Sequence, residues 1–183
     1  MKKIFIQNSI GGSGKDTFAS LINQYIPTHK YSIIDLPKEA AKILGWDGGK
    51  SERDRKFLSD LMDLATEYNG APFRDVTSIV TDFINDRIKD KVLIIDMRDP
   101  KDIARAVEVF GAETILIRNP NVAKIESNHA DRDVENYKYD YIIENDGTLE
   151  QLDNVAKFFV REIICWNEVQ DVKKPHILTC SNY

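Results

Sequence analysis

The sequence predicts a three-layer α/β/α fold built on a mainly parallel, five-stranded sheet. Apolar, strand-like runs recur at residues 4–6, 31–36, 92–96, 114–117 and 139–143, with helical patterns between them. These runs are almost entirely apolar, which is typical of strands in a parallel sheet that helices cover on both faces. The alternation of strand and helix therefore predicts the fold class.

Each helix is predicted from apolar residues that recur every three or four positions. The patterns span residues 18–25, 57–68, 76–84, 103–110 and 149–163. Two start signals agree with them: Asp99 precedes Pro100, and Thr148 with Gln151 forms a capping box. After about residue 166 the pattern fades, and we expect residues 176–178 to be either a tail or an edge strand.

The composition predicts one globular domain over residues 1–183. The chain is 42% hydrophobic and 30% charged, and it is long enough to bury a core. The net charge of -5 argues against a general nucleic-acid binder, whose surface would be basic. No apolar run is long enough to span a bilayer, and we expect no signal peptide. Cys165 and Cys180 have no metal-ligand or redox spacing, so we expect free thiols and a cytoplasmic protein.

The most informative segment is residues 9–17, Ser-Ile-Gly-Gly-Ser-Gly-Lys-Asp-Thr, named here the glycine-rich loop. It lies between an apolar strand and an amphipathic helix. Its glycines allow backbone N–H groups to surround a phosphate, the helix N-terminus favours negative charge, and Lys15 can reach the outer phosphates. This order is typical of a P-loop and predicts binding of a nucleoside triphosphate. The predicted contacts are Gly11, Gly12, Ser13, Gly14, Lys15, Asp16 and Thr17.

The glycine-rich loop departs from the usual P-loop pattern at two positions. Ser9 replaces the first glycine, and Asp16 replaces the Mg²⁺-binding Ser/Thr, with Thr17 one residue later. Asp16 predicts either metal ligation or helix capping. Asp96 ends an apolar run, so we expect it either to organise Mg²⁺ near the loop or to start a turn. Arg98 is expected in the site or in a salt bridge.

Two polar segments carry further cations. In residues 45–55, the basic cluster Lys50, Arg53 and Arg55 predicts either an anion site or a solvated helix face. Residues 119–138 form a long polar segment, which is typical of a lid or of a solvated loop. Cations in such a lid can stabilise a transferring phosphoryl group. The basic side chains in or beside it are Arg118, Lys124, His129 and Arg132.

Taken together, several segments resemble the phage-type deoxynucleoside monophosphate kinases, a family of P-loop nucleoside and nucleotide kinases. An aspartate directly after the loop lysine, as at Asp16, is common in that family. Asp54, in contrast, stands where the family often has glycine. The likeness covers about residues 4–152. It is carried by residues 14–17 (Gly-Lys-Asp-Thr), 45–50 (Gly-Trp-Asp-Gly-Gly-Lys) with Arg55 and Leu58, 95–100, 127–130 and 139–149, the last ending in Asn-Asp-Gly-Thr-Leu.

The resemblance implies transfer of the γ-phosphoryl group from Mg·ATP to a (deoxy)nucleoside monophosphate. About residues 45–70 would bind the acceptor, and about residues 119–138 would form the lid. The implied substrate contacts are Trp46, Asp47, Lys50, Arg55 and Arg98; the catalytic residues are Lys15, Arg98, Arg118 and Arg132; and the Mg²⁺ site is Asp16, Thr17 and Asp96.

Two other functions fit the sequence. The chain could be a P-loop kinase of another small phosphorylated metabolite, because basic residues indicate an anionic acceptor and do not identify a nucleobase. It could also be a catalytically weak ATP-binding regulatory module, since the lid segment is rich in acidic residues. In each case we expect a nucleoside triphosphate as partner, no nucleic acid and no membrane, and we allow for a homodimer.

Overall fold

The structure is a computed structural model that describes residues 2–122, 134–165 and 176–182. The chain divides into two compact units: unit 1 is Met1–Lys30 with Lys89–Tyr183, and unit 2 is Tyr31–Ile88. The elements in chain order are β1 (Lys3–Asn8), α1 (Lys15–Tyr25), β2 (Thr28–Ser32), α2 (Asp35–Ile43), α3 (Glu52–Asn69), α4 (Ala71–Ile84), β3 (Val92–Asp96), α5 (Pro100–Phe110), β4 (Glu113–Arg118), β5 (Tyr141–Glu144), α6 (Leu149–Phe158) and β6 (His176–Thr179). Short 3₁₀ helices at Val134–Asn136 and Cys180–Asn182, and a π-helical stretch at Phe159–Cys165, complete the described part.

The sheet has six strands in the order β2-β3-β1-β4-β5-β6, so the predicted count of five is wrong by one. All four strand pairs with a described register are parallel. The additional strand is β6, which pairs with β5 so that Tyr141 lies opposite His176. Residues 176–178 are therefore part of the edge strand and not a tail. A run of this length carries too little periodicity to decide between the two from sequence.

The predicted strand at residues 31–36 is also misplaced. β2 ends at Ser32, and α2, which the sequence patterns did not predict, begins at Asp35. The buried residues Pro37 and Ala41 are four positions apart and form one helical face. Ile33 and Ile34 lie between β2 and α2, and Leu36 lies in the first turn of α2. The helices predicted from the other patterns are present, each with a start earlier than or at its first apolar residue.

In unit 1, helices cover both faces of the sheet. On one face, alternate strand residues such as Phe5 and Tyr141 join the core formed with α1, α6 and the π-helical stretch. Phe159 lies 5.4 Å from Phe5 and 5.3 Å from Tyr141, measured between ring centroids. The neighbouring strand residues point to the opposite face, where α5 contacts β1 and β4 and buries Ile103. This arrangement confirms the predicted α/β/α layering.

Unit 2 consists of the end of β2 and three helices that pack against one another, α2, α3 and α4. α4 buries five residues, whereas α3 buries none of its 18. Gly70, at φ 67°, ends α3 and precedes α4 in the left-handed conformation that glycine adopts without strain. Unit 2 therefore presents a long helix whose side chains are at least partly exposed.

The sheet topology places polar residues together at the carboxyl-terminal ends of the strands. Asn8, Asp96, Arg118 and Glu144 are the last residues of β1, β3, β4 and β5. The chain leaves β1 toward β3 and β2 but leaves β4 toward β5, so the strand order reverses between β1 and β4. In open parallel sheets ligands bind outside the carboxyl ends of strands at such a reversal. The glycine-rich loop, which follows β1, lies there.

The predicted helix starts are confirmed. The Asp99 carboxylate accepts a hydrogen bond from the Lys101 N–H at 2.7 Å, and Thr148 forms the expected capping box with Gln151. Both cysteines are free, with Cys180 buried and Cys165 exposed. In the part of the chain that the structure describes, no helix has the length and apolar character needed to cross a membrane.

Candidate functional site

The glycine-rich loop is shaped by two glycines with positive φ. Gly12 has φ 86° and Gly14 has φ 94°, values that other residues adopt only with strain. A Cβ atom on Gly14 would also lie 2.5 Å from Nδ2 of Asn145. The Ser13 N–H donates to the Ile10 carbonyl at 3.3 Å, and α1 begins immediately afterwards at Lys15. Glycine at position 14 therefore satisfies both the backbone conformation and the close approach of a side chain.

Two amide side chains, one on β1 and one just after β5, hold this loop. Gln7 Nε2 donates to the Lys15 carbonyl at 2.8 Å, and Asn145 Nδ2 donates to the Ser13 carbonyl at 3.0 Å. In a trans peptide the C=O and N–H groups point in opposite directions, so a fixed Ser13 carbonyl also fixes the Gly14 N–H. The N–H groups that would bind an anion are therefore oriented by the protein itself.

Four charged side chains of unit 1 meet beside the loop: Lys15, Asp16, Lys30 and Asp96, which we name the charge cluster. Lys15 Nζ lies 2.7 Å from Asp96 Oδ2 and 2.9 Å from Asp16 Oδ1. Lys30 Nζ pairs with the same two oxygens, at 3.2 Å from Asp96 Oδ2 and in contact with Asp16 Oδ1. Asp16 Oδ1 and Asp96 Oδ2 are thus each shared by two ammonium groups.

The electrostatics of the charge cluster favour its ionised form. Partial burial raises the pKa of Asp16, but the hydrogen bonds and charges of Lys30 and Lys15 outweigh it and bring that pKa to about 2. Burial lowers the pKa of Lys30, but the two carboxylates outweigh it and leave that pKa above its usual value. Asp96 is only 8% exposed, and its Oδ1 has no hydrogen-bond partner among the described residues. A buried carboxylate oxygen without a partner is costly unless a ligand or water satisfies it.

The residues present fit a magnesium ion bound together with phosphates. Within the described ranges, no group of three or more His, Cys, Asp or Glu side chains could hold a metal alone. Mg²⁺ is usually held by one or two carboxylates with water and substrate phosphates, which suits Asp16, Asp96 and the orphaned Asp96 oxygen. The alternative of Asp16 as a helix cap is wrong, because Gly14 is the N-cap of α1 and Asp16 lies within its first turn. Thr17 is exposed in the same turn.

Arg118, at the end of β4, is held by two carboxylates. Its Nε and Nη2 donate to Glu135 at 3.0 and 2.6 Å, and its Nη1 donates to Glu144 at 2.7 Å. The hydrogen bonds that Arg118 donates to these carboxylates raise its pKa, with those to Glu135 having the largest effect. The predicted lid residues Lys124, His129 and Arg132 lie outside the described residues. Of the predicted lid cations, only Arg118 can therefore be placed, and it is already ion-paired.

The backbone at Arg98 is tied to the end of β1 through Asn8. Asn8 Nδ2 donates to the Tyr139 hydroxyl at 2.8 Å and to the Arg98 carbonyl at 3.3 Å. The Asn8 side-chain oxygen accepts the Ser9 N–H at 2.8 Å, so the position that replaces the usual first glycine lies in a buried turn. Burial raises the pKa of Tyr139 to about 12, and its hydroxyl donates to the Val134 carbonyl at 2.9 Å.

The predicted acceptor residues lie in unit 2, where Trp46 and Asp47 form a local turn. Trp46 Nε1 donates to the Gly49 carbonyl at 3.2 Å, and Asp47 Oδ1 accepts the Gly49 N–H at 2.9 Å. Lys50 and Arg55 are exposed. Trp46 and Asp47 therefore shape the backbone that carries Lys50.

Asp54 has a local role at the start of α3. Its Oδ2 accepts hydrogen bonds from the Ser51 backbone at 2.9 Å and from the Ser51 hydroxyl at 2.6 Å. The Ser51 hydroxyl in turn accepts the Asp54 N–H, which completes a capping box. Since the box fixes where α3 begins, it also places Arg55 in the first helical turn.

Sequence reasoning missed Gln7, Lys30 and Asn145 as site residues. A signal existed for Asn145, which lies in the Asn-Asp-Gly-Thr-Leu segment after β5 and also after a predicted strand end. Gln7 is a polar residue in an apolar strand, which is a weaker signal. Lys30 had no such signal in the sequence. The strand was predicted at residues 31–36, whereas β2 spans Thr28–Ser32, so Lys30 lay outside the predicted strand.

Comparisons with known proteins support the fold. No family model and no curated protein sequence matches the chain. Among solved structures, the chain is similar to TT1252 from Thermus thermophilus, with 17% identity, a TM-score of 0.52, and coverage of 88% of this chain and 98% of that one. Shikimate kinase from Aquifex aeolicus (14% identity, 88% and 98% coverage, TM-score 0.46) and thymidylate kinase from Ehrlichia chaffeensis (14%, 97% and 93%, 0.34) are more weakly similar. At these identities the first comparison shows a shared α/β fold, and the two weaker ones carry no further argument.

Proposed function

We propose that this protein is a P-loop kinase that transfers the γ-phosphoryl group of ATP to a (deoxy)nucleoside monophosphate, giving ADP and the diphosphate. The observation that carries the proposal is the glycine-rich loop, whose N–H groups are oriented by Gln7 and Asn145 beside Lys15 and two carboxylates. Such a combination of oriented backbone N–H groups, a lysine and a metal-binding carboxylate pair suits a metal-bound polyphosphate.

In this proposal the loop residues Gly11–Thr17 bind the phosphates of ATP, and the Lys15 ammonium moves from the carboxylates to the outer phosphates. Asp16, Thr17 and Asp96 would hold Mg²⁺, which neutralises charge on the phosphates when it is bound. Lys15 then stabilises the charge that develops as the γ-phosphorus–oxygen bond to ADP breaks. The bond to an acceptor phosphate oxygen forms at the same phosphorus.

The acceptor is proposed to bind through Lys50, Arg55 and Arg98, with Trp46 and Asp47 shaping the loop that carries Lys50. No general base is needed, because the attacking atom is already an anionic phosphate oxygen. Positioning therefore supplies most of the rate acceleration. We propose that the segment of residues 119–138, with Arg118 and Arg132, closes over the reacting groups and excludes water. The two free cysteines agree with a cytoplasmic location.

The resemblance to the phage-type deoxynucleoside monophosphate kinases supports a nucleoside monophosphate as acceptor, and no contact of the described residues selects a base. One observation favours a second function, a catalytically weak ATP-binding module. Arg118 is fully engaged by Glu135 and Glu144, and an arginine must be released from such partners before it can stabilise a phosphoryl group.

The test is turnover of Mg·ATP against a panel of ribo- and deoxyribonucleoside monophosphates, with the diphosphate product detected directly. We expect diphosphate from one or a few members of the panel. A blank panel beside measurable ATP binding would support the binding module or a kinase of another phosphorylated metabolite. ATP hydrolysis alone decides nothing, because kinases also transfer slowly to water.

A further inference from the structure

Lys30 in the charge cluster has no role in the reaction proposed above. It lies on β2, next to the strand that carries Asp96, and its Nζ contacts the two carboxylate oxygens that Lys15 also contacts, Asp16 Oδ1 and Asp96 Oδ2. A typical lysine ion pair lies at the protein surface and joins one ammonium group to one carboxylate. Here two ammonium groups lie across the same pair of oxygens, so Lys15 and Lys30 together balance the charge of Asp16 and Asp96.

The two lysines differ in what they can do next. Lys15 lies at the N-terminus of α1 within the glycine-rich loop, where a polyphosphate offers its ammonium new partners. Lys30 lies outside that loop, and its two recorded side-chain partners are Asp16 and Asp96. When Lys15 turns to the phosphates, Lys30 is therefore left as the cation on the carboxylates.

We propose that Lys30 is a positioning residue that acts as a built-in counter-cation of the metal site, so that the two carboxylates bind a divalent ion only together with a nucleotide. Without nucleotide, one oxygen of each carboxylate, Asp16 Oδ1 and Asp96 Oδ2, is covered by both ammonium groups. An incoming dication is repelled by both ammonium groups. This repulsion is large because the ion and the ammonium groups would contact the same carboxylate oxygens and therefore lie close together. This inference rests on the proposed nucleotide and metal site and assigns the regulation of metal entry to a residue outside the loop.

Two features of the cluster support this assignment. Both lysine side chains are partly buried, at 21% and 34% exposure, so solvent screens their charges less than at an open surface, although the Asp16 side chain is exposed. Asp96 is nine-tenths buried, and its Oδ1 keeps no partner among the described residues, so one metal-binding atom stays available.

The test measures binding of Mn²⁺ alone to the nucleotide-free protein, from the EPR signal of the free ion. We expect the Lys30→Met variant to bind one Mn²⁺ at least tenfold more tightly than the wild type. Lys30→Arg, which keeps the charge, should bind Mn²⁺ as weakly as the wild type. Lys3→Met is the matched control, because Lys3 also pairs with a carboxylate, Glu113 at 2.7 Å, at the opposite end of β1.

A second variant identifies the carboxylates that bind the ion. In the double variant Lys30→Met with Asp16→Asn, the gain in Mn²⁺ affinity should disappear. An unchanged Mn²⁺ affinity in Lys30→Met, or a gain that survives the loss of Asp16, would overturn the proposal. Folding of each variant is checked by thermal unfolding, and Lys30→Gln replaces Lys30→Met if the latter unfolds. Because Mn²⁺ binding needs no turnover, a blank acceptor panel would defeat the proposed function without affecting this result.

Discussion

The glycine-rich loop of unit 1 and the segment at residues 45–55 of unit 2 are both predicted to bind phosphate, yet they are built differently. The loop follows a buried strand, and side chains from β1 and the end of β5 hydrogen-bond to its backbone. The segment includes the first turn of α3, a helix that buries none of its residues, and its own side chains make its hydrogen bonds. Lys15 is held by two carboxylates, whereas Lys50 and Arg55 are exposed.

The difference indicates how much of each site exists before a ligand arrives. In the loop the donors are oriented and the lysine is partly buried, so little conformational entropy remains to be lost on binding. In the segment long basic side chains keep their rotamer freedom, and ordering each of them reduces the gain from binding. We therefore expect substitutions in the loop to affect the chemical step and substitutions in the segment to affect acceptor affinity.

The largest expected effect is that of Lys15→Ala. Loss of the ammonium removes a charge that is aimed at the developing negative charge, and we expect kcat to fall about 10³-fold. Steady-state turnover with ATP and the best acceptor measures it, and Lys3→Ala serves as the control. A rate near that of the wild type would contradict the assignment of residues 9–17 as the phosphate site.

A smaller effect is expected from Arg55→Ala and Lys50→Ala. A hydrogen bond to a charged group contributes about 1.5–3 kcal/mol, so KM for the acceptor should rise roughly 10- to 100-fold with little change in ATP affinity. Arg53→Ala, in the same exposed turn of α3, is the matched control. If Arg53→Ala raises KM as much as Arg55→Ala, the basic cluster acts only through its overall charge.

Asn145→Ala tests whether a side chain outside the glycine-rich loop orients the backbone of the loop. It leaves the Ser13 carbonyl without its side-chain donor, and we expect ADP affinity to fall about tenfold, since a buried acceptor left unsatisfied costs about 1–3 kcal/mol. Isothermal titration with ADP measures the change. Thr148→Ala, which removes a helix cap nearby, should lower stability by about 1 kcal/mol and leave ADP affinity unchanged. Equal losses of affinity in both variants would show a general destabilisation instead.

The smallest effect concerns the start of α3. The Ser51 hydroxyl and backbone N–H hold the pKa of Asp54 below its usual value. A depressed carboxylate pKa adds stability that is present above the unfolded-state pKa and is lost as the pH falls through the folded-state pKa. The stability difference between wild type and Asp54→Asn should therefore be present at pH 7 and shrink below pH about 4. Denaturant unfolding at both pH values measures it, with Asp63→Asn on the same helix as control; a difference that is independent of pH would contradict the capping role.

The parts of the fold that follow from local pattern were predictable. The strands β1, β3, β4 and β5 and the starts of α5 and α6 could be read from apolar runs and capping residues, because these signals lie within a few residues of the element. β6 and the end of β2 could not, since short strands are fixed by their partner and not by their own sequence. α2 was missed because its apolar residues continue the pattern of the preceding strand.

The same distinction applies to the candidate site. Lys15 and Asp16 were predicted because they belong to a contiguous loop, and Asp96 because it ends an apolar strand. Lys30 reaches the site only through the order of the strands, which places β2 beside β3 and β3 beside β1. No local pattern carries that order. Residues brought together by strand order are therefore the ones that sequence reasoning loses.

The central position of β1 also has a consequence for biosynthesis. On β1, Lys3 pairs with Val92 and Phe5 pairs with Glu113, so β1 leaves the ribosome well before the two strands that it pairs with. Contacts between such distant residues form slowly, because a long chain must close before they are gained. Asp96 and Asn145 reach the glycine-rich loop only at that stage. A nascent chain that already contains the complete loop would accordingly have no ordered phosphate site, and nucleotide could stabilise the protein only after translation has passed β5.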